Sequence, residues 1–188
     1  MEYYICHIDQ ARELFGEDKT LSKPKQISSW ARQILIQKIK EKGFHFNCSI
    51  ETTLRGKPFF VFNKDLHFSI SHTKEYIAII ISDRPIGIDI ETRRKYNKLV
   101  VDRFFHPKEI ELLDRVEDSY KEVLFTKIWT LKEAYVKCLG TGIANSFEIF
   151  YVNPLYNPPE IQNNATEVEI YSYFIPEKDL YISICKEK

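Results

Sequence analysis

The order of secondary-structure signals along the chain predicts an α+β fold built from two related lobes that meet near residue 84. A strand, a helix and more strands come first, and two helices and a second group of strands follow. Each half also has one long amphipathic helix that contains a tryptophan, Trp30 or Trp129, and each half ends in a strand of similar composition. The likeness between the halves does not by itself establish a repeat, so the prediction depends on the order of the elements.

In the first half, a strand precedes a helix. Residues 2–8 have the aromatic and β-branched content of a strand. Apolar residues at helical spacing then predict a helix that Ser28 or Ser29 caps and that ends at Gly43. Strand-like segments follow, and turn signals rich in Gly, Asn, Asp and Pro separate them: residues 59–62, 67–70, 76–82 and 85–90.

In the second half, two helices precede the last strands. Pro107 is placed to begin the first helix, because proline is favoured in the first turn. Ser119 and Glu122 have the spacing of a capping box for a longer helix that runs to about Leu139, where Gly140 ends it. The remaining tail is predicted to form strands around a loop rich in Pro and Asn.

The composition indicates a globular protein without a strong overall charge. Of the 188 residues, 44% are hydrophobic and 14% are aromatic, which is enough for a folded core and too much for a disordered chain. The 27 basic residues balance the 27 acidic residues, so no global field attracts nucleic acid or a membrane, and any phosphate site must be local. Four scattered cysteines without CxxC spacing, and the lack of a long apolar run, favour free thiols and a cytoplasmic location.

A pair of acidic residues on one predicted strand is a candidate metal site. Side chains alternate along a strand, so Asp89 and Glu91 point to the same face, within about 7 Å of each other. Two carboxylates at that distance repel unless one is protonated or a cation lies between them, and Mg²⁺ prefers one or two carboxylates together with phosphate oxygens. Gly87 leaves room beside them for a ligand or another backbone. Alone, the pattern also fits solvated acids at a strand end.

A second candidate lies on the long helix of the second half. Glu133 and Lys137 are four residues apart and therefore share one helix face. Alone, they are more typical of an ordinary surface ion pair. In combination with the acidic strand, Glu133 is a candidate third metal ligand and Lys137 a candidate phosphate-binding group, a set that suits magnesium pyrophosphate.

A third candidate is the end of a strand, where Ser71, His72 and Thr73 enter a turn. Hydroxyls, an imidazole and free backbone N–H groups can hold a phosphate there, although a capped turn with a structural histidine fits as well. A Ser–His nucleophile is excluded because adjacent strand residues point to opposite faces. Lys57, in a Gly-Lys-Pro turn, and a basic group in the first half add positive charge: Lys23, Lys25 and Arg32.

Taken together and in this order, the segments resemble the 4′-phosphopantetheinyl transferase superfamily, and most closely its monomeric, two-lobed class typified by the surfactin-synthetase-activating enzyme. The resemblance covers about residues 56–143. Its motifs are GKP, FSISHT, IGIDIE, RFFHPKE and WTLKEAYVKCLGTG, at residues 56–58, 68–73, 86–91, 103–109 and 129–142. The last motif is the most specific, because the pattern W-(S/T)-x-K-E-(A/S)-x-x-K-x-x-G-x-G is rare outside the family.

The resemblance implies a role for each matching residue. Asp89, Glu91 and Glu133 match the magnesium ligands of the family, and Lys137 matches the lysine that contacts the coenzyme A phosphates. Glu109 matches a glutamate proposed to act as base on the incoming serine, a role for which Glu133 and a metal-bound water are the alternatives. The remaining matches are to residues that bind coenzyme A phosphates: Lys57, Ser71, His72, Lys23, Lys25 and Arg32.

The resemblance also implies a fold and an activity. Two similar lobes with a pseudo-twofold relation are expected, each a small antiparallel sheet packed on a long helix, with coenzyme A bound by residues 1–84 and the metal by residues 85–188. The activity is Mg²⁺-dependent transfer of 4′-phosphopantetheine from coenzyme A to a serine of an apo acyl or peptidyl carrier protein, which releases adenosine 3′,5′-bisphosphate. A monomer is expected, with neither nucleic acid nor a membrane as partner. A non-catalytic binding module of the same fold and an unrelated Mg²⁺-dependent nucleotide hydrolase are the alternatives.

Overall fold

The computed structural model describes residues 2–142, 147–162 and 166–188 and confirms a mixed α+β architecture. The elements of the first half are β1 (Tyr3–His7), α1 (Ile8–Phe15), α2 (Lys23–Glu41), β2 (Ile50–Thr52), β3 (Pro58–Phe60), β4 (His67–His72) and β5 (Tyr76–Ser82). The elements of the second half are β6 (Ile86–Thr92), α3 (Lys98–Phe104), α4 (Pro107–Arg115), α5 (Asp118–Leu139), β7 (Tyr151–Asn153), β8 (Glu160–Gln162), β9 (Val168–Ile175) and β10 (Leu180–Glu187).

Each half folds around a three-stranded antiparallel sheet with the same strand order. In the first sheet β5 lies between β1 and β4, and in the second β10 lies between β6 and β9. In both sheets the strand that comes last in the chain is therefore central, and the long helix follows the first strand. A short antiparallel pair accompanies each sheet, β2 with β3 and β7 with β8. This shared topology confirms the prediction of two similar lobes.

The two sheets pack against each other between the two long helices. α2 covers the first sheet, where Trp30 and Ile77 belong to one buried cluster. α5 covers the second sheet, where Leu131 and Ile170 belong to another. A third cluster lies between the sheets and consists of Ala78, Ile80, Ile86, Ile88, Ile90, Leu180, Ile182 and Ile184. Burial of this apolar layer holds the two halves together, because separating them would expose it to water.

The structure corrects the predicted start of the first long helix. α2 begins at Lys23 with Ser22 as its N-cap, so neither Ser28 nor Ser29 is the cap. Ser28 lies inside the helix, and its Oγ donates a hydrogen bond to the Pro24 carbonyl at 2.9 Å. Pro24 favours the earlier start because its fixed φ is already helical and its missing N–H has no partner to lose in the first turn.

The second long helix also starts differently from the prediction. The N-cap of α5 is Glu117, and the predicted capping box of Ser119 and Glu122 does not form. Gly140 ends the helix as predicted, in the left-handed conformation with φ 69°. α1 and α3 were not predicted, because segments of eight and seven residues are too short for a clear helical periodicity. In the described part of the chain, no helix is long and apolar enough to cross a membrane.

Candidate functional site

Strand β6 and helix α5 approach each other very closely at Gly87. A Cβ atom at this position would lie 2.0 Å from the carbonyl oxygen of Ala134 and 2.5 Å from the amide nitrogen of Cys138, so only glycine fits without a shift of the backbone. Alternation along β6 then places Asp89 and Glu91 on the same face as Gly87, the face that meets α5. The group that Gly87 accommodates is therefore the helix backbone rather than a ligand.

Asp89 is the buried centre of the site, with 4% of its surface exposed. Its Oδ1 atom accepts hydrogen bonds from Lys137 Nζ at 2.6 Å and from Ser71 Oγ at 2.8 Å. Its Oδ2 atom is buried and has no hydrogen-bond partner among the described residues. Because a buried acceptor without a partner is costly, this oxygen is suited to bind a ligand.

Two serines of β4 connect the first sheet to this strand. Ser69 Oγ accepts a hydrogen bond from the Ile88 amide at 3.1 Å, and Ser71 Oγ accepts one from the Ile90 amide at 3.2 Å. Since Ser71 also donates to Asp89, its hydroxyl is already used within the protein. In this structure Ser71 therefore holds β4 against β6, and its contact with a phosphate stays a prediction.

Glu133 and Glu91 complete a group of crowded carboxylates. Glu133 is 8% exposed. Its burial, and then the negative charge of Asp89, raise its pKa to about 7. Burial and Asp89 also raise the pKa of Glu91, while the guanidinium of Arg94, 2.7 Å from Glu91 Oε1, opposes that shift. The three acids thus share a region where their negative charges destabilise one another and a cation would relieve the repulsion.

The carboxylate oxygens of the site are of the type that binds a hard divalent cation, although the side chains do not lie close enough together to hold one. In residues 2–142, 147–162 and 166–188, no three His, Cys, Asp or Glu side chains stand close enough together to hold a metal ion. The residues nevertheless offer three carboxylates, of which Asp89 contributes an unpartnered oxygen, and such oxygens are the ligands that Mg²⁺ prefers. A bound cation would therefore require Glu91 and Glu133 to move towards it.

A cleft of about 400 Å³ opens beside the carboxylates. It lies between the turn that connects β2 to β3, strand β4 and the last turns of α5. Its charged lining residues are Arg55, Lys57, Glu133 and Lys137. Because the basic residues outnumber the acidic one, the cleft is suited to an anion.

Lys57 and His72 lie near this cleft, but with different surroundings. Lys57 Nζ donates to the carbonyl oxygen of Cys138 at the end of α5, a favourable place for a cation, and lost hydration lowers the pKa of Lys57. The bond to this carbonyl uses one of the three N–H donors of the ammonium, so Lys57 can bind a phosphate and keep that bond. His72 ends β4 and does not line the cleft; lost hydration, and then the charge of Lys137, lower its pKa.

The basic residues of α2 lie outside the cleft. Lys25 and Arg32 line a separate groove along the helix. Lys23 lines another groove, beside Lys74 from the turn between β4 and β5. The structure therefore does not bring these three predicted coenzyme A contacts, Lys23, Lys25 and Arg32, into one cleft with Lys137.

Glu109 lies outside the lining of the cleft, and its role as base stays a prediction. Its side chain has no exposed surface. Oε1 accepts hydrogen bonds from Lys132 Nζ at 2.9 Å and the Val152 amide at 2.8 Å, while Oε2 accepts one from the His106 amide at 2.9 Å. The last bond belongs to the capping box that begins α4. A base must reach the proton that it removes, and in this structure the Glu109 carboxylate instead binds Lys132 and two backbone amides.

Sequence reasoning missed two basic residues that bind glutamates: Lys132, which binds Glu109, and Arg94, which binds Glu91. Lys132 is fully buried. Its Nζ atom donates to the Phe150 carbonyl at 2.9 Å and lies 4.2 Å from the centre of the Phe150 ring. Its burial could have been inferred, because Ile128 and Tyr135 lie at helical spacing on the same apolar face. Arg94 gave no such signal, since it lies in the loop after β6.

Comparison with known families matches residues 85–185 to the 4′-phosphopantetheinyl transferase superfamily. The match covers more than half of the chain. It contains β6 and α5, and therefore all three carboxylates and Lys137.

Curated relatives have the same kind of name. The chain is similar to the 4′-phosphopantetheinyl transferase Gsp of Aneurinibacillus migulanus, with 35% identity over 118 residues, which are 62% of this chain and 49% of the relative. It is similar to the transferase HetI of Nostoc sp., with 37% identity over 114 residues, 57% of this chain and 48% of the relative. For the transferase Sfp of Bacillus subtilis the identity is 33% over 98 residues, 52% of this chain and 43% of the relative. The chain spans about half the length of these relatives.

Solved structures give a weaker likeness. A holo-(acyl-carrier-protein) synthase from Bacillus anthracis, in complex with coenzyme A (3′,5′-ADP), is 22% identical with a TM-score of 0.47, over 55% of this chain and 96% of that one. At this level the likeness adds no argument, so the assignment rests on the family match and the curated relatives. These place the chain, as its motifs predicted, in the 4′-phosphopantetheinyl transferase superfamily, to which it belongs.

Proposed function

We propose that this protein transfers the 4′-phosphopantetheine group of coenzyme A to a serine of an apo acyl or peptidyl carrier protein and releases adenosine 3′,5′-bisphosphate. The observation that carries the proposal is a cleft whose charged lining residues are Glu133 and three basic residues, one of which, Lys137, binds Asp89 at 2.6 Å. A cleft of this charge suits the phosphates of coenzyme A. Membership of the superfamily supplies the class of reaction.

We assign Mg²⁺ to the three carboxylates. When bound, the ion would neutralise both their charge and that of the phosphates, which is the main requirement in transfers of this type. The assignment is supported by the unpartnered Asp89 Oδ2, and by the burial and then the repulsion from Asp89 that raise the pKa of Glu133 to about 7. Glu91 and Glu133 supply the remaining ligand oxygens.

Lys137 is assigned to the phosphates of coenzyme A. Its ammonium already lies 2.6 Å from Asp89 and lines the cleft, so it carries fixed positive charge next to the acidic cluster. There it offsets negative charge that develops on the leaving phosphate. Lys57 lines the same cleft from the turn between β2 and β3 and is assigned to a second phosphate. Apolar lining residues, Phe68, Ile70 and Val136, suit the uncharged part of the arm.

Glu133 is assigned as the group that accepts the proton of the incoming serine. Of the two glutamates predicted for this role, only Glu133 lines the cleft, because Glu109 is fully buried in its pair with Lys132. A general base must reach the proton that it removes, and the position of Glu133 in the cleft lining gives it that access.

The division of labour between the lobes is also a proposal. Residues 1–84 would contribute most contacts to the nucleotide part of coenzyme A, and residues 85–188 would contribute the acidic cluster. We expect the protein to act as a cytoplasmic monomer, since both walls of the cleft come from one chain. Sedimentation analysis that gave a dimer would contradict the monomer.

The proposal is tested by intact-protein mass spectrometry of several apo carrier proteins after incubation with this protein, coenzyme A and Mg²⁺. We expect a mass gain of one phosphopantetheine group that is lost with EDTA and with Glu133→Gln. Glu148→Gln, outside the cleft, is the control. If no carrier gains mass while coenzyme A binding is measurable, the protein is a binding module. Release of phosphate from nucleotides without any carrier would instead indicate a hydrolase.

A further inference from the structure

Arg94 is held in place by three separate contacts, two of which come from α5. Its backbone amide donates to Thr126 Oγ1 at 3.0 Å. Its guanidinium carbon lies 4.6 Å from the centre of the Trp129 ring, within the range of a cation–π contact. Its Nη1 atom donates to Glu91 Oε1 at 2.7 Å. A planar guanidinium can stack on a ring and donate to a carboxylate at the same time, which a lysine cannot do as well.

The neighbouring Arg93 shows that such fixation is not a general property of this loop. Arg93 reaches Asp179 at 3.4 Å, where the two side chains are 44% and 52% exposed, and it also lies beside the Tyr181 hydroxyl. Exposed pairs of this kind contribute little. The pair of Arg94 with Glu91 is less exposed and has a second support in Trp129, which itself packs on Phe104 and Phe147.

The two carboxylates of β6 are held in the same way. Asp89 Oδ1 is bound by Lys137, and its Oδ2 has no partner among the described residues. Glu91 Oε1 is bound by Arg94, and within the described residues no hydrogen bond reaches the second oxygen of Glu91. In each case a cation on the protein fixes one oxygen and leaves the other for a ligand.

We propose that Arg94 is a positioning residue that holds Glu91 for cation binding, with Trp129 as its support. The inference rests on the proposed function, in which Glu91 is a ligand of Mg²⁺. Partners that orient metal ligands typically change metal affinity by about 10–100-fold when they are removed. Arg94 therefore affects how tightly the site binds Mg²⁺, and it is not among the residues that line the cleft assigned to coenzyme A.

In the test, the whole protein is titrated with MgCl₂ alone, and binding is measured by calorimetry and by tryptophan fluorescence. Arg94→Met keeps an apolar side chain over Trp129 but removes the charge, and Arg94→Lys keeps the charge without the planar group. We expect Mg²⁺ to bind about tenfold more weakly to Arg94→Met, with Arg94→Lys in between. Arg93→Met is the matched control and should bind Mg²⁺ as the parent protein does.

Thermal unfolding and the transfer assay separate this inference from the proposed function. If Arg94→Met folds and binds Mg²⁺ as tightly as the parent, or if the parent binds no Mg²⁺, the inference is overturned even where carrier transfer is observed. If Mg²⁺ binding depends on Arg94 but no carrier is modified, the positioning role stands and the proposed activity fails. Should Arg94→Met not fold, Arg94→Lys must still show weaker Mg²⁺ binding and a raised KM for Mg²⁺ at an unchanged kcat, or the inference is overturned.

Discussion

At the scale of single residues, the site consists of buried carboxylates and the basic side chains that bind them. Lys137 and Arg94 each bind one oxygen of a carboxylate on β6. No basic side chain of the described residues is hydrogen-bonded to Glu133, and its burial, followed by the charge of Asp89, raises its pKa to about 7 although Lys137 opposes the shift. Three acids with two protein cations leave negative charge uncompensated, which is why a further cation is expected.

A different buried pair, Glu109 with Lys132, tests whether burial excludes Glu109 from catalysis. Glu109→Gln should lower the free energy of unfolding by about 3–5 kcal/mol, because it leaves the buried Lys132 ammonium without its charge partner. At a temperature where the variant is folded, transfer to a carrier should persist. Denaturant unfolding and the mass-spectrometric assay check the two parts.

The double variant Glu109→Gln with Lys132→Met is the control for this pair. It removes both charges, so it should be more stable than Glu109→Gln alone. A folded Glu109→Gln protein that has lost transfer completely, while coenzyme A and Mg²⁺ still bind, would restore Glu109 as the base.

At the scale of elements, the packing of β6 on α5 creates the site. The helix backbone at Ala134 and Cys138 lies against Gly87, and the same two elements carry all three carboxylates. Asp89 follows Gly87 by two residues on the strand, and one helical turn separates Glu133 from Lys137. Because each element has a regular geometry, the close contact at Gly87 also fixes where the four charged side chains on β6 and α5 lie.

Gly87→Ala should damage both stability and the site. Its Cβ would lie 2.0 Å from the Ala134 carbonyl oxygen, a backbone atom, so trimming a side chain cannot relieve the clash. Overpacking of this kind costs about 1–3 kcal/mol or more, and separation of β6 from α5 should also weaken Mg²⁺ binding. Denaturant unfolding and calorimetry measure the two effects.

Gly43→Ala is the comparison for this substitution. Gly43 has φ 82° and open space around it, so alanine there meets strain in the backbone but no clash. It should leave Mg²⁺ binding unchanged. Equal Mg²⁺ affinity in Gly87→Ala and the parent would show that the close approach is not needed for the site.

At the scale of the whole molecule, one topology occurs twice and the cleft uses both copies. The first half contributes β4 and the turn that carries Lys57, and the second half contributes α5. Hydrogen bonds from the Ile88 and Ile90 amides to serines of β4 join the halves across the site. A ligand in this cleft should therefore stabilise both halves together.

Thermal unfolding in the presence of ligands tests this coupling. Coenzyme A and Mg²⁺ together should raise the Tm of a single transition, since they bind only the folded state. At a ligand concentration of 100 times the dissociation constant, the free energy of unfolding should rise by about 2.7 kcal/mol. Asp89→Asn keeps the shape and an acceptor for Ser71 but removes the charge, so the Mg²⁺ contribution should disappear.

Asp83→Asn is the control for that experiment, because Asp83 forms an exposed pair with Lys186 away from the cleft. It should keep the full ligand-induced shift in Tm. A Mg²⁺ shift that survives in Asp89→Asn would contradict the assignment of Asp89 to the metal, and two separate transitions would contradict the coupling of the halves.

The sequence by itself determined the elements and chemistry that depend on near neighbours in the chain. The alternation of Asp89 and Glu91, the helical spacing of Glu133 and Lys137 and the helix end at Gly140 follow from local geometry, and the order of the motifs was enough to identify the family. Helix starts were predicted less well, because Ser28 and Ser119 are acceptable caps locally while Pro24 and the tertiary packing favour other starts.

Only the tertiary structure decided which charged residues meet. Glu109 and Lys132 are 23 residues apart and pair in the core. Ser71 donates to Asp89, and Arg94, which lies over the Trp129 ring, donates to Glu91. Lys23, Lys25 and Arg32 remain apart from the cleft although their charge suited a phosphate site. The physical reason is that the free energy of a charge depends on its burial and on partners distant in sequence, and neither can be read from residue type and spacing.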